Sequence, residues 1–171
     1  MANRRFRNLE QKLHSELLSS FPTIKEVITD EKVEGYRHVA ITVYDHWLSE
    51  KEAFEEFKEM SAEKQKINDD KLHSFICGLT SNYESYLAKF IGRNKKRKVS
   101  FRAFNSEVAK NRTLKPLSYL ASNVRRFIII IPSLELIYME GWDFTHHVYL
   151  KNDALIGALK MEAMKSNVYV L

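Results

Sequence analysis

The stretch that decides the fold is residues 127–150, FIIIIPSLELIYMEGWDFTHHVYL. It opens with five consecutive apolar residues, 127–131, a run typical of a strand buried on both faces. A Pro-Ser turn leads into a second apolar segment, 134–139, and Gly141 marks a further turn. Residues 144–150 then alternate between apolar and polar side chains, which predicts a third strand. We therefore predict three successive strands in this region.

The rest of the chain shows mostly helical periodicity. Downstream, a helix that Asp153 can cap is followed by a short last strand at residues 168–171. Upstream, residues 36–44 alternate as a strand, and Ser49 with Glu52 forms a capping box at a helix start. Apolar stripes at three- and four-residue steps predict further helices over residues 6–21, 53–60 and 72–90, with two short helices between 104 and 124.

These elements predict a single α+β domain that spans residues 1–171. Its helix-rich part is residues 1–125, approximately, and includes the strand at 36–44. Its sheet-rich part is residues 126–171, approximately, and forms most of a mixed sheet of four to five strands. No Gly-rich or Pro-rich linker divides the chain, which has 5 glycines and 3 prolines.

Charge is distributed unevenly along the chain. The whole sequence carries +5 at pH 7, from 27 basic and 22 acidic residues. Residues 89–126 hold twelve basic residues and one acid, whereas residues 8–88 hold nine basic residues against sixteen acids. Three arginines among the first seven residues make the N-terminus basic as well. We therefore expect residues 89–126, the basic segment, to meet an anionic partner.

The basic segment predicts nucleic-acid binding. Clustered Lys and Arg side chains neutralise backbone phosphates and release counterions, and aromatic side chains among them can stack on bases. Phe90, Phe101, Phe104 and Tyr119 interleave with the basic residues. The residues that we predict to bind DNA or RNA are Arg93, Lys95, Lys96, Arg97, Lys98, Arg102, Arg112, Lys115, Arg125 and Arg126.

The leading function is therefore a non-catalytic nucleic-acid-binding protein, acting alone or as a subunit of a larger complex. Two alternatives stay open. In the first, the basic segment docks on an acidic protein partner, or on a second copy of the chain, in an assembly. The second alternative is a metal-dependent hydrolase.

The hydrolase hypothesis rests on residues 139–148, MEGWDFTHHV. In a strand that begins near Asp143, the side chains of Asp143, Thr145, His147 and Tyr149 would share one face. A carboxylate and an imidazole on one face can bind a metal or transfer protons, which makes Asp143 and His147 candidate catalytic residues. An ordinary polar sheet face is the other explanation of the same pattern.

The order of elements from residue 104 onward is helix, strand, strand, strand, helix, strand, which resembles the core of the PD-(D/E)xK nuclease fold. That family binds magnesium through an acid early in its second strand and an acid-x-lysine on its third. Here Pro132 and Ser133 stand where Pro-Asp is expected, and Thr145 stands where the lysine is expected after Asp143. The resemblance therefore implies a catalytically inactive, nucleic-acid-binding version of the fold.

Several other classes of protein are excluded or disfavoured. The longest apolar run has five residues, whereas a membrane-spanning helix needs about 20. The N-terminal residues form no apolar leader, and the single cysteine, Cys77, cannot form an intramolecular disulfide. We therefore expect a cytoplasmic protein that is not bound to a membrane and has neither a cofactor nor a resident metal.

Overall fold

The computed structural model describes residues 5–28, 33–92, 98–116, 126–141 and 143–171. Short 3-10 turns lie at Glu26–Ile28 and Pro132–Leu134. In these ranges, no helix is long and apolar enough to cross a membrane. The helices and strands are β1 (Phe6–Asn8), α1 (Gln11–Ser20), β2 (Arg37–Thr42), α2 (Glu50–Lys58), α3 (Ala62–Ser81), β3 (Tyr86–Ile91), β4 (Lys98–Phe104), α4 (Glu107–Thr113), β5 (Ile128–Ile131), β6 (Leu136–Met139), β7 (Thr145–Leu150), α5 (Leu155–Ser166) and β8 (Tyr169–Val170).

The strands form one open sheet in the order β1-β4-β3-β5-β6-β7-β2-β8. Every neighbouring pair is antiparallel. Both halves of the chain contribute, since β1 to β4 all precede residue 105. The prediction of a four- to five-stranded mixed sheet formed largely by the C-terminal half is therefore wrong, although the α+β class is correct.

The largest error concerns the helix predicted over residues 72–90. Helix α3 ends at Ser81, and the chain re-enters as β3 at Tyr86. Tyr86, Leu87 and Ala88 are all buried, because β3 lies inside the sheet with packed side chains on both faces. Such a strand shows no two-residue alternation, so its apolar residues fit a helical stripe equally well.

The N-terminal helix predicted over residues 6–21 is also shorter than expected. Phe6 lies in β1 and pairs with Phe104 of β4, and α1 begins only at Gln11. Phe104 is accordingly in a strand rather than in a short helix, and the second predicted short helix lies largely in residues 117–125, outside the described residues. At α5, Asp153 does not cap the helix but pairs with Arg37 across 2.9 Å.

Helices cover both faces of the sheet. One face, which we call the α3 face, packs against α3 and α5 through Leu72, Phe75, Ile76 and Leu159. The other face, the α1 face, packs against α1 and the segment that follows it, through Leu17, Phe21, Ile24 and Val27. The four consecutive isoleucines of β5 pack alternately into the core on the α1 face and the core on the α3 face. This packing confirms the prediction of a strand buried on both faces.

The capping box predicted at α2 is present. The Ser49 Oγ accepts a hydrogen bond from the Glu52 amide at 3.4 Å, and the Glu52 carboxylate accepts one from the Ser49 amide at 2.8 Å. We expect Ser49→Ala to lower the free energy of unfolding by about 1 kcal/mol in urea titrations, because a free helix-start amide loses its acceptor. Ser20→Ala, at an exposed site within α1, is the control; an equal loss in both variants would contradict the prediction.

Candidate nucleic-acid interface

Three basic side chains meet in one cavity at the β1 edge of the sheet. Arg5, Lys89 and Arg102 line a space of about 320 Å³ together with Phe6 and Asn8, which we call the cationic cavity. Lys89 and Arg5 are exposed, and Arg102 is half-buried. In the described part of the chain, none of these three cations pairs with a carboxylate. The cavity therefore holds uncompensated positive charge.

The alternation of β4 puts Arg102 in this position. Val99, Phe101 and Ala103 pack into the core on the α1 face, so Arg102 between them projects from the opposite face. In the register of the sheet, Arg102 lies opposite Leu87 of β3 and Asn8 of β1. The pairing of β1 with β4 therefore brings the N-terminal residues to the middle of the basic segment.

An aromatic ring lies among the cations. The Lys89 Nζ is 4.4 Å from the centroid of the Phe6 ring, a cation–π contact. Phe6 also packs against Phe104, with ring centroids 5.8 Å apart and planes inclined by 54°. Phe6 remains partly accessible, so the cavity combines positive charge with an aromatic surface.

Among the cavity's residues, only Arg102 is one of those predicted to bind nucleic acid; Lys89 lies in the basic segment but is not one of the predicted binding residues. The sequence predicts no binding role for Arg5, Phe6 and Asn8, because the apolar stripe over residues 6–21 predicts a helix. The signal that could have found them is the alternation Arg5-Phe6-Arg7, which fits a short basic strand as well as it fits a helix.

The other predicted basic residues are dispersed. Lys98 is exposed at the start of β4, opposite Ile91 of β3. Arg112 and Lys115 are exposed in and after α4, and the charge of Lys115 acts on Asp69 of α3 rather than on the cationic cavity. The remaining predicted residues, Arg93, Lys95, Lys96, Arg97 and Arg125, lie outside the described residues.

Arg126 is largely buried, with 17% of its side chain exposed. Its Nη1 donates a hydrogen bond to the Gly141 carbonyl at 2.7 Å and lies 3.5 Å from a carboxylate oxygen of Glu140. The Glu140 side chain is 1% exposed, and its second oxygen accepts a hydrogen bond from the Phe127 amide at 3.1 Å. Arg126 thus holds β5 to the end of β6, and we leave it out of the proposed interface.

A second buried polar pair lies close to Arg126. The Tyr138 hydroxyl is 2.6 Å from His146 Nδ1, and both side chains are buried on the α3 face. Burial, followed by the charges of His147 and Arg126, lowers the pKa of His146 to about 3. Burial foremost raises the pKa of Tyr138 well above its ordinary value. Both groups are therefore neutral at pH 7 and join the strands β6 and β7 without carrying charge.

The structure gives Asp143 and His147 different neighbours. Asp143 is exposed and precedes β7, and the left-handed backbone of Phe144 (φ 57°) separates it from the strand. Together with burial and Glu56, its charge raises the pKa of Tyr44. His147 lies within β7, where its Nδ1 is 3.0 Å from His38 Nε2 on β2. Thr145 and Tyr149 do lie on the same sheet face as His147, by alternation.

A metal site receives no support from the described residues. No group of three or more His, Cys, Asp or Glu side chains in these ranges is arranged to hold an ion. His73 and Cys77 of α3 instead both reach Asn111 of α4: His73 Nε2 donates to its carbonyl at 2.9 Å, and the Cys77 thiol to its side-chain oxygen at 3.6 Å. Burial raises the pKa of Cys77, which disfavours the thiolate.

Comparisons with protein-family models, with curated proteins and with solved structures find no match to this chain. The order of elements from α4 to β8 is the one that suggested a nuclease-like core. Strand β8 pairs with β2, however, so the sheet continues into strands from the first half of the chain. The resemblance therefore rests on element order alone.

Proposed function

We propose that the protein binds the phosphate backbone of nucleic acid at the cationic cavity. The observation that carries the proposal is the convergence of Arg5, Lys89 and Arg102 in one cavity with Phe6, where the described lining residues include no carboxylate. Protein surfaces normally balance such cations with acids, so a concave cluster of uncompensated cations favours a polyanionic ligand.

The charge of the neighbouring segment supports the same ligand. The six-residue connection between β3 and β4, residues 92–97, carries four basic residues and no acid. It leads to Lys98, the start of the strand that carries Arg102. Each cation that neutralises a phosphate releases counterions, so the affinity should depend steeply on salt.

The aromatic ring in the cavity favours nucleic acid over an acidic protein surface. A carboxylate-rich surface would use only the cations, whereas a nucleotide can also contact the part of the Phe6 ring that is accessible. Because backbone phosphates are the same in every sequence, we expect binding to be independent of base sequence to a first approximation.

The test is the double variant Lys89→Gln/Arg102→Gln, in which two of the three cations of the cavity are neutralised. We expect its affinity for a labelled oligonucleotide at low salt to fall about tenfold or more, because two phosphate contacts are lost. The slope of log K against log salt concentration should fall by about 1 for each residue removed. Fluorescence anisotropy across a salt series measures both quantities.

The matched control is Lys66→Gln/Lys160→Gln, which removes the same charge from exposed positions on α3 and α5. We expect this control to keep nearly all of the affinity, since neither lysine lines the cationic cavity. Equal losses in the two double variants would mean that only net charge matters and would contradict the proposal. A wild-type protein that retains no DNA or RNA at low salt would refute it.

A further inference from the structure

A second cavity involves the same strands as the cationic cavity, β1, β3 and β4. Residues 80–86 and 103–107 line a space of about 390 Å³ together with Arg7 and Lys110, and we call it the polar cavity. It opens between the end of α3, the start of β3 and the start of α4. Its volume lies within the range of roughly 300–1,000 Å³ that is usual for small-ligand sites.

One pair of aromatic residues contributes a ring to each cavity. Phe6 lines the cationic cavity and Phe104 lines the polar cavity, and their ring centroids are 5.8 Å apart. The backbone connects them as well, since the Asn105 amide donates a hydrogen bond to the Arg5 carbonyl at 3.1 Å. The paired strands β1 and β4 therefore contribute residues to both cavities.

The polar cavity differs from its neighbour in charge. Its two cations, Arg7 and Lys110, are matched by two carboxylates, Glu84 and Glu107. Lys110 is buried, lies 2.9 Å from the Glu107 carboxylate and donates a hydrogen bond to the Thr80 carbonyl at 3.1 Å. A phosphate would meet repulsion from the two acids, so this charge balance favours a neutral polar guest.

The lining of the polar cavity is suited to such a guest. The hydroxyl of Ser85 is buried and has no hydrogen-bond partner, and Ser85 is only 8% exposed. A buried polar group without a partner is rare in folded proteins, and this one belongs to a residue of the cavity wall. Tyr83, on the same cavity wall, is 40% exposed and presents an aromatic surface.

We infer that the polar cavity takes one unpaired base, so that the site binds single-stranded nucleic acid. The inference rests on the proposed function, because the phosphates beside that base lie in the cationic cavity. A neutral, planar base edged with hydrogen-bonding groups matches a balanced polar cavity with an aromatic wall. A base in an intact duplex is stacked and paired and cannot enter such a cavity without leaving the helix.

The experiment uses three labelled ligands: a single-stranded oligonucleotide, the duplex of the same sequence, and the same single strand with abasic positions. We expect the single strand to bind at least about fivefold more tightly than the duplex. The variant Asn82→Ala/Tyr83→Ala should lose about fivefold in affinity for the intact strand and almost none for the abasic strand. Both substituted residues are exposed, and thermal unfolding checks that the fold is kept.

The matched control is Tyr169→Ala, because Tyr169 is 47% exposed on β8, at the opposite edge of the sheet. A duplex that binds as tightly as the single strand overturns the inference, and so does an equal loss by the cavity variant for intact and abasic strands. If Lys89→Gln/Arg102→Gln still weakens binding in that case, the proposed function stands without the base cavity. If no ligand binds the wild-type protein, the proposed function fails first.

Discussion

Replacing Arg126 by methionine is expected to lower the free energy of unfolding by about 3–5 kcal/mol. The substitution removes the positive charge beside Glu140, whose side chain is 1% exposed and so has almost no access to water. It also removes the hydrogen bond to the Gly141 carbonyl. Chemical denaturation with urea, at a pH where Glu140 is ionised in the unfolded chain, measures the loss.

Two further variants give this prediction its control. Arg126→Met/Glu140→Gln should recover part of the stability, because the buried side chain at position 140 is then neutral. Arg37→Met breaks an ion pair of shorter distance, 2.9 Å, but both of its side chains are more than half exposed, so we expect a loss below about 1 kcal/mol. If the double variant is no more stable than Arg126→Met, the ion pair is not the cause.

Acid is expected to destabilise the protein through His146. Its pKa is about 3 in the folded protein and about 6.5 in the unfolded chain, so the unfolded state binds a proton first as the pH falls. Above pH 6.5 the ring is neutral in both states and has no effect on the pH dependence. Below pH 6.5 the free energy of unfolding falls by about 1.4 kcal/mol for each pH unit, until the pH nears 3. In His146→Leu this part of the pH dependence should disappear.

Asp69 acts in the opposite direction. Burial foremost raises its pKa from 3.8 to about 6, although a hydrogen bond from Gln65 and the charges of Lys115 and Arg126 oppose the shift. Because the pKa of Asp69 is higher in the folded protein, the folded state binds this proton first, and the free energy of unfolding rises as the pH falls from about 6 to 3.8. This gain offsets part of the loss at His146. Urea titrations from neutral to acidic pH on the wild type, His146→Leu and Asp69→Asn separate the two groups. An unchanged slope in His146→Leu would contradict the prediction.

Local chemistry predicted several elements well. The apolar run of β5, the alternation of β2 and β7, and the capping box of Ser49 and Glu52 each depend on residues that are neighbours in the chain. A helix start is set by hydrogen bonds across three residues, and an apolar run of five is too short for a stable isolated helix. Such features are set by neighbouring residues and do not depend on contacts with distant parts of the chain.

The errors arose where pairing across the chain overrides local pattern. Phe6, Tyr86 and Phe104 all have spacings compatible with helices, and all lie in strands. Their backbone hydrogen bonds come from residues up to about a hundred positions away, as in the pairing of Phe6 with Phe104. No window along the sequence contains both partners, so periodicity alone could not favour the strand.

The candidate interface was likewise predicted in part from composition and decided in part by the fold. Composition alone locates a basic segment at residues 89–126 and makes an anionic partner the natural hypothesis, because charge needs no fold to be counted. Which of those charges act together depends on the pairing of β1 with β4 and on the burial of Arg126 beside Glu140. The sheet brings Arg5 to Arg102 across almost a hundred residues of chain, and Arg126 is engaged by Glu140 and the Gly141 carbonyl. Distances between charges and their burial exist only in the folded chain, so only the tertiary structure shows which cations line one cavity.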